Sequence, residues 1–351
     1  MTWKKRAGFL AAAVLLFSGC GVLTQESVEK GQMELQKETV DNEQNQGQQE
    51  IVEKNAVQTE EKIQFICATF PEYDWVRQIL GENIEKFELT LLVQNGMDLH
   101  SYQPSAEDMI KISDCDAFLY TGGISESWVE DVRRAGQTEQ KQVLNLLEVI
   151  EEQRETEEMA EDTEHVHEGE VHAALDEHIW LSLKNAEILV EEIQEFIIAL
   201  DGEGAEVYKT NAQNYKAQLA KLDQAYQEVV DVAEEKTLLF ADRFPFRYLT
   251  EDYGLTYYAA FTGCSAETEA SFETITFLAE KVDERKLPAV LTIENSDSKI
   301  AKTIIENTEQ KNQQILVMNS LQSLTKQDME NGVTYLSVME ENLQILKQAL
   351  R

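Results

Sequence analysis

Residues 205–235 contain no Gly or Pro, and Tyr208, Ala212, Tyr215, Leu219, Leu222, Tyr226, Val229 and Ala233 recur along them every three or four positions. That period is the buried stripe of one amphipathic helix, about 45 Å long at 1.5 Å per residue. Such a helix spans the height of a domain and constrains whatever lies on either side of it. Its stripe covers too few heptads, and uses too much Ala and Tyr, to be a coiled-coil seam. The chain therefore reads as a monomer.

Both flanks of this helix alternate short β-branched or aromatic runs with helical stretches. Before it come Ile63–Cys67, Leu89–Val93, Ala117–Tyr120 and Val143–Leu146; after it come Thr237–Ala241, Thr256–Ala259, Ala289–Ile293 and Ile315–Met318. Strand and helix alternating about every 30 residues predict parallel sheets covered by helices. The expected fold class is α/β, with two lobes, each a parallel sheet flanked by helices, joined by one long rigid helix. The boundaries fall at 62–202 for the first lobe, 203–235 for the connector and 236–351 for the second lobe. A single stiff connector suits a site that needs only small adjustment rather than wide hinge closure.

The first 61 residues stand apart. Lys4, Lys5 and Arg6 precede an uncharged apolar stretch, Ala7 to Phe17, too short to span about 30 Å of hydrocarbon and typical of an export signal. It ends in Phe17-Ser18-Gly19-Cys20, which resembles a bacterial lipoprotein processing site, with Cys20 as the lipidated residue and 1–19 as signal peptide. Residues 20–61 are mostly Gln, Glu, Asn and Lys without an aromatic, a composition that reads as a spacer. The expected location is the extracytoplasmic face of the cell membrane, with the lipid on Cys20 as the anchor. A formal net charge of −36 excludes a partner held by phosphate contacts, so no nucleic acid is expected. Four Cys, none in a CxxC pair, exclude a disulfide scaffold or a zinc ribbon.

All five His lie between positions 100 and 178. His100 follows the strand run ending at Val93, at the strand edge where open α/β sheets place ligands. His178 lies in Asp176-Glu177-His178-Ile179-Trp180-Leu181, before a helix expected from about Asn185. Imidazole is the commonest metal ligand, yet two His can equally be satisfied core residues. Spacing alone leaves both readings open.

Four motifs occur in order: Gly-x-Asp-x-His-Ser-Tyr-x-Pro at 96–104, Asp-x-His-x-Trp-Leu at 176–181, Tyr-Gly-Leu at 253–255 and Glu-x-Ser at 269–271. Together with the lipoprotein-like N-terminus and the long helix, they resemble the substrate-binding lipoproteins of zinc and manganese ABC transporters from about residue 62 to 351. The resemblance implies two pseudo-symmetric lobes, one transition-metal ion in the cleft between them, and delivery of that ion to a membrane permease. It implies His100 and His178 as the ligands of the first lobe. In the second lobe, the position of the family's third ligand falls at Arg243, which offers no lone pair. Asp242 takes the role if the loop shifts by one residue. The fourth position falls near Asn319-Ser320, where Asn is a poor ligand. Glu294 ends the run Ala289–Ile293 and so faces the same strand edge. The expected donors are thus His100, His178, Asp242 and Glu294, each of the two carboxylates being otherwise a solvated acid or a partner of Arg243. Such an N/O set suits Zn²⁺, with Mn²⁺ as the alternative.

Residues 151–177 hold twelve Asp or Glu, one basic residue and His165, His167 and His172. They read as an acidic loop, and the resemblance suggests weak metal collection by those three His. The sequence shows no GxSxG, P-loop or HExxH, so no enzyme is expected. The rival readings are a metal-binding surface adhesin and a metallohydrolase of the same compartment.

Overall fold

A computed structural model describes residues 61–94, 96–97, 99–135, 142–160, 176–261 and 269–350. Strands β1 (Ile63–Cys67), β2 (Phe87–Leu91), β3 (Ala117–Tyr120) and β4 (Gln142–Asn145) form a parallel sheet in the order β2-β1-β3-β4. Strands β5 (Thr237–Phe240), β6 (Thr256–Ala259), β7 (Ala289–Ile293) and β8 (Gln314–Met318) form a second, in the order β6-β5-β7-β8. The second lobe repeats the first strand for strand. In each sheet the chain first steps to one side of its opening strand and then crosses to the other. That reversal leaves a crevice at the carboxyl ends of the strands, where ligands bind in open α/β sheets.

Strand β2 ends two residues earlier than the expected run, but the pairing does not stop there. Leu92 N donates to Cys67 O at 3.0 Å and Val93 N to Ala68 O at 3.0 Å. The whole apolar run is therefore tied to the sheet up to the loop that carries His100.

The connecting helix runs Ala205–Asp231, 27 residues and about 40 Å. Tyr208, Ala212, Tyr215, Leu219, Leu222, Tyr226 and Val230 are its buried side chains. The stripe closes on Val230 rather than Val229, because seven residues fall 20° short of two full turns and the apolar face drifts around the helix. The helix ends four residues before the expected 235, and Val232 is 82% exposed.

The two lobes are joined by more than this helix. The C-terminal helix Tyr335–Ala349 reaches back to the first lobe: Tyr335 N donates to the buried Asp74 carboxylate at 2.9 Å, and the Tyr335 ring meets Trp75 edge-on at 5.1 Å. Tyr226 of the connector donates its hydroxyl to Met339 O at 2.7 Å. Trp180 Nε1 donates to Ser320 O at 2.9 Å, across to the loop after β8. One apolar core runs from Phe65 in β1 through Trp180 and Tyr226 to Leu346. The long helix joins the lobes as expected, and these contacts tie them further, with the one aromatic side chain of the C-terminal helix, Tyr335, buried against Trp75 of the first lobe.

Among the described residues no helix is long and apolar enough to cross a membrane. The signal segment, Cys20, the spacer, and His165, His167 and His172 lie outside the described residues.

Candidate metal centre

His100 is carried by a short 3₁₀ turn, Leu99–Ser101, in the loop after β2. Leu99 plugs into the core at 1% exposure and fixes the turn, which leaves the His100 ring at the crevice with its side chain 17% exposed. His178 sits at the N-cap of a second 3₁₀ turn, Ile179–Leu181, all three of whose side chains are buried. Leu181 N donates to His178 O at 3.1 Å, and the Trp180 indole lies edge-on to the His178 ring at 5.3 Å. Both histidines are thus held by apolar neighbours in sequence that the core has taken up.

The two rings meet at their outer nitrogens. His100 Nε2 and His178 Nε2 are 3.2 Å apart. Their inner nitrogens face anions and a hydroxyl. His178 Nδ1 lies 2.6 Å from Asp176 Oδ1, which also accepts the His178 backbone N–H at 2.9 Å. His100 Nδ1 lies 2.9 Å from Glu177 Oε1 and 2.6 Å from Ser125 Oγ. Glu177 in turn accepts from Ser125, from the hydroxyl on Oε1 and from the backbone N–H on Oε2 at 3.0 Å.

Burial pushes the Asp176 and Glu177 carboxyls up, but the hydrogen bonds from His178 to the one, and from His100 and Ser125 to the other, outweigh it and hold both below the ordinary carboxylate range. Both are anions at neutral pH and only accept hydrogen bonds. A neutral imidazole beside such an anion carries its proton on the nitrogen that faces it. A ring with its proton on Nδ1 directs an Nε2 lone pair at the other ring, and two such lone pairs at this distance can share one Lewis acid. Two nitrogens bound at about 2.0–2.1 Å to one tetrahedral zinc lie about 3.3 Å apart, close to the separation found.

Asp242 and Glu294, the expected donors of the second lobe, are not brought to this pair. Both stand where their sequence places them, after β5 and β7. Asp242 Oδ1 accepts the N–H of the following Arg243 at 2.9 Å. The Glu294 carboxylate accepts from Ser320 N at 2.7 Å, Ser320 Oγ at 2.6 Å and Ser323 Oγ at 3.2 Å, and so closes the loop after β8. Among the described residues no three His, Cys, Asp or Glu side chains gather as a metal-holding group. In the metal-free chain each of these strand-edge carboxylates is satisfied by the hydroxyls and backbone N–H groups beside it.

Asp176, Glu177 and Ser125 were not anticipated. Two acids directly preceding a His are a visible signal of carboxylate–histidine pairing, but the acidic run before them hides it. No sequence pattern shows that Glu177 reaches back to His100 and Ser125, on separate loops.

A family model described as zinc-uptake complex component A, periplasmic, matches residues 66–349. The zinc-binding lipoprotein AdcA of Streptococcus pneumoniae strain R6 is 32% identical over 296 residues, which cover 84% of this chain and 57% of that protein. The chain thus spans somewhat over half the length of this relative. The high-affinity zinc uptake system protein ZnuA of Bacillus subtilis is 28% identical over 290 residues, 83% of this chain and 88% of that one. In structure, the chain resembles the Zn(II)-bound ZnuA-like domain of the pneumococcal AdcA, with a TM-score of 0.65, 30% identity, and coverage of 83% of this chain and 99% of that domain.

Proposed function

The chain belongs to the zinc-uptake complex component A family, and on that premise we propose that it is an extracytoplasmic solute-binding lipoprotein that captures Zn²⁺ and hands it to the permease of an ABC importer. His100 and His178 are the protein donors, binding through Nε2. The observation that carries this reading is the 3.2 Å approach of two Nε2 atoms whose rings turn Nδ1 toward Asp176 and toward Glu177 and Ser125. Imidazole pairs favour zinc over manganese, which prefers oxygen donors and lies lower in the affinity order. The names of the zinc-binding relatives point the same way.

No chemical step on a substrate is part of this role: the cargo enters and leaves unchanged. The broad core shared by the lobes supports a site that loads and unloads by small loop movements rather than by wide closure. The basic and apolar N-terminal pattern ending at Cys20 supports a lipid anchor on the outer face of the membrane, with the acidic 20–61 segment as tether. The chain acts as a monomer. Elemental analysis of the chain purified without chelator, followed by zinc titration against a competing chelator, tests the reading. One tightly bound zinc per chain is expected, and no divalent ion held at micromolar concentration would overturn it.

A further inference from the structure

We infer that Glu177 is a positioning residue that decides which nitrogen of His100 carries the proton, and so keeps the pair of histidines open to a metal. The inference starts from what Ser125 can do alone. A serine hydroxyl has one proton to give and two lone pairs to offer. Ser125 Oγ, 2.6 Å from His100 Nδ1, can therefore accept from an Nδ1–H or donate to a bare Nδ1. It does not choose between the two neutral forms of the ring.

Glu177 makes the choice. Its Oε1 takes the hydroxyl proton of Ser125, leaving that oxygen only lone pairs to turn toward His100. The same Oε1 lies 2.9 Å from His100 Nδ1 and is itself an acceptor. Both neighbours of Nδ1 now demand a proton from it, and Nε2 is left bare.

The other form of the ring has a ready alternative. With its proton on Nε2, His100 donates it to His178 Nε2, whose lone pair stands 3.2 Å away and is fixed there by Asp176 on the far side of that ring. Ser125 then donates to His100 Nδ1. In that arrangement the two nitrogens a metal needs are locked to each other, and Glu177 Oε1 loses both of its donors. Among the described residues it is the Glu177 carboxylate that, by holding the serine proton, stands against it.

The fold is shaped to seat this carboxylate. Gly123 has φ +85°, and a Cβ there would lie 2.6 Å from Glu177 Oε2 and 2.9 Å from Glu177 Cβ. Glu177 packs into the space that the missing side chain leaves. Its side chain is 7% exposed, so little water competes for its oxygens.

The test uses nitrogen-15 spectra of the histidine rings in the metal-free full chain, followed upward in pH until neither ring shifts further. The consequence for zinc rests on the receptor reading, whereas the ring form does not, so the two fail separately. The wild-type chain is expected to show the Nδ1–H form at both His100 and His178. E177A is expected to move His100, and not His178, to the Nε2–H form and to weaken zinc about 10–100-fold. E177Q fills the same space but has one acceptor oxygen, which the Ser125 N–H takes, so its NH2 faces Ser125 Oγ and His100 Nδ1; it is expected to move His100 to the Nε2–H form as E177A does, which separates this role from mere filling of space. S125A keeps the Nδ1–H form, because Glu177 remains. A wild-type His100 found in the Nε2–H form overturns the inference without any variant, as does an E177A chain whose His100 stays Nδ1–H. Nδ1–H rings in a wild-type chain that takes up no zinc would uphold the role of Glu177 and sink the receptor reading instead.

Discussion

Tyr335, at the start of the C-terminal helix, donates its hydroxyl to the carbonyl of Trp180 at 2.6 Å, across 155 residues of sequence. Trp180 is two residues beyond His178 and buttresses its ring. The second lobe therefore supports the segment of the first that carries His178. Removing that hydroxyl leaves the Trp180 carbonyl buried without its donor, which costs about 1–3 kcal/mol. The Y335F chain is expected to lose about that much unfolding free energy and so to unfold at a lower denaturant midpoint, and an unchanged midpoint would show that the contact does not stabilise the fold.

The two histidines differ from the two carboxylates of the second lobe in what their loss should do. H100A and H178A each remove one of two imidazole donors, so zinc affinity is expected to fall by more than the roughly 10–100-fold typical of losing a supporting residue. D242A and E294A are expected to leave zinc affinity within about threefold, with E294A destabilising the chain by about 1–3 kcal/mol through the stranded Ser320 N–H. Competition titration of the four variants decides; a zinc loss in D242A or E294A as large as in H100A would return those carboxylates to the ligand set.

Zinc binds neutral imidazole, and an unperturbed imidazole titrates near pH 6.5. Protons compete for the same Nε2 atoms as the metal. Affinity is therefore expected to fall as pH drops through the range in which the rings take up protons, by up to a hundredfold per unit where both rings must lose a proton. Asp176 and Glu177, held below the usual carboxylate range, stay ionised throughout that window and do not contribute to the slope. A flat affinity between pH 5.5 and 7.5 on the order of the chelator titration's error would contradict direct ligation by imidazole.

Glu72 gives a pH dependence of stability with the opposite origin. Its carboxylate, buried at the start of the helix Phe70–Leu80, accepts from Ala68 N, Thr69 N and Thr121 Oγ1, yet burial outweighs these bonds and raises its pKa from 4.5 to about 7. The folded state holds that proton more tightly than the unfolded one. Its contribution is full below about pH 4.5 and is lost as pH rises through 7. Relative to E72Q, the wild-type chain is expected to lose on the order of 3 kcal/mol between pH 4.5 and 8. A gap between the two that does not change across those pH values would refute the assignment.

The acidic segment with His165, His167 and His172 is separate from the paired histidines in sequence and composition. Deleting 161–172 is expected to reduce the number of weakly held zinc ions per chain and to leave the tight site within about twofold. Calorimetry would detect either change, and loss of the tight site would place these residues in it.

The repeat of strand and helix and the connecting helix were legible because they depend on local periodicity, whereas His100 and His178 were singled out by the motifs around them. A buried stripe must recur every 3.6 residues, and a buried strand must be a short apolar run, whatever surrounds it. Leu99 and Trp180 beside the histidines carry the same kind of signal. The sequence by itself thus determined the fold class, the two sheets and the segments that present His100 and His178. Tertiary structure alone decided which polar groups those histidines meet. Glu177 grips Ser125 and His100 rather than its neighbour His178, and Glu294 closes on Ser320 and Ser323. Such partners are chosen by distance and angle within about 3 Å, which depend on how separate loops are packed and leave no period along the chain.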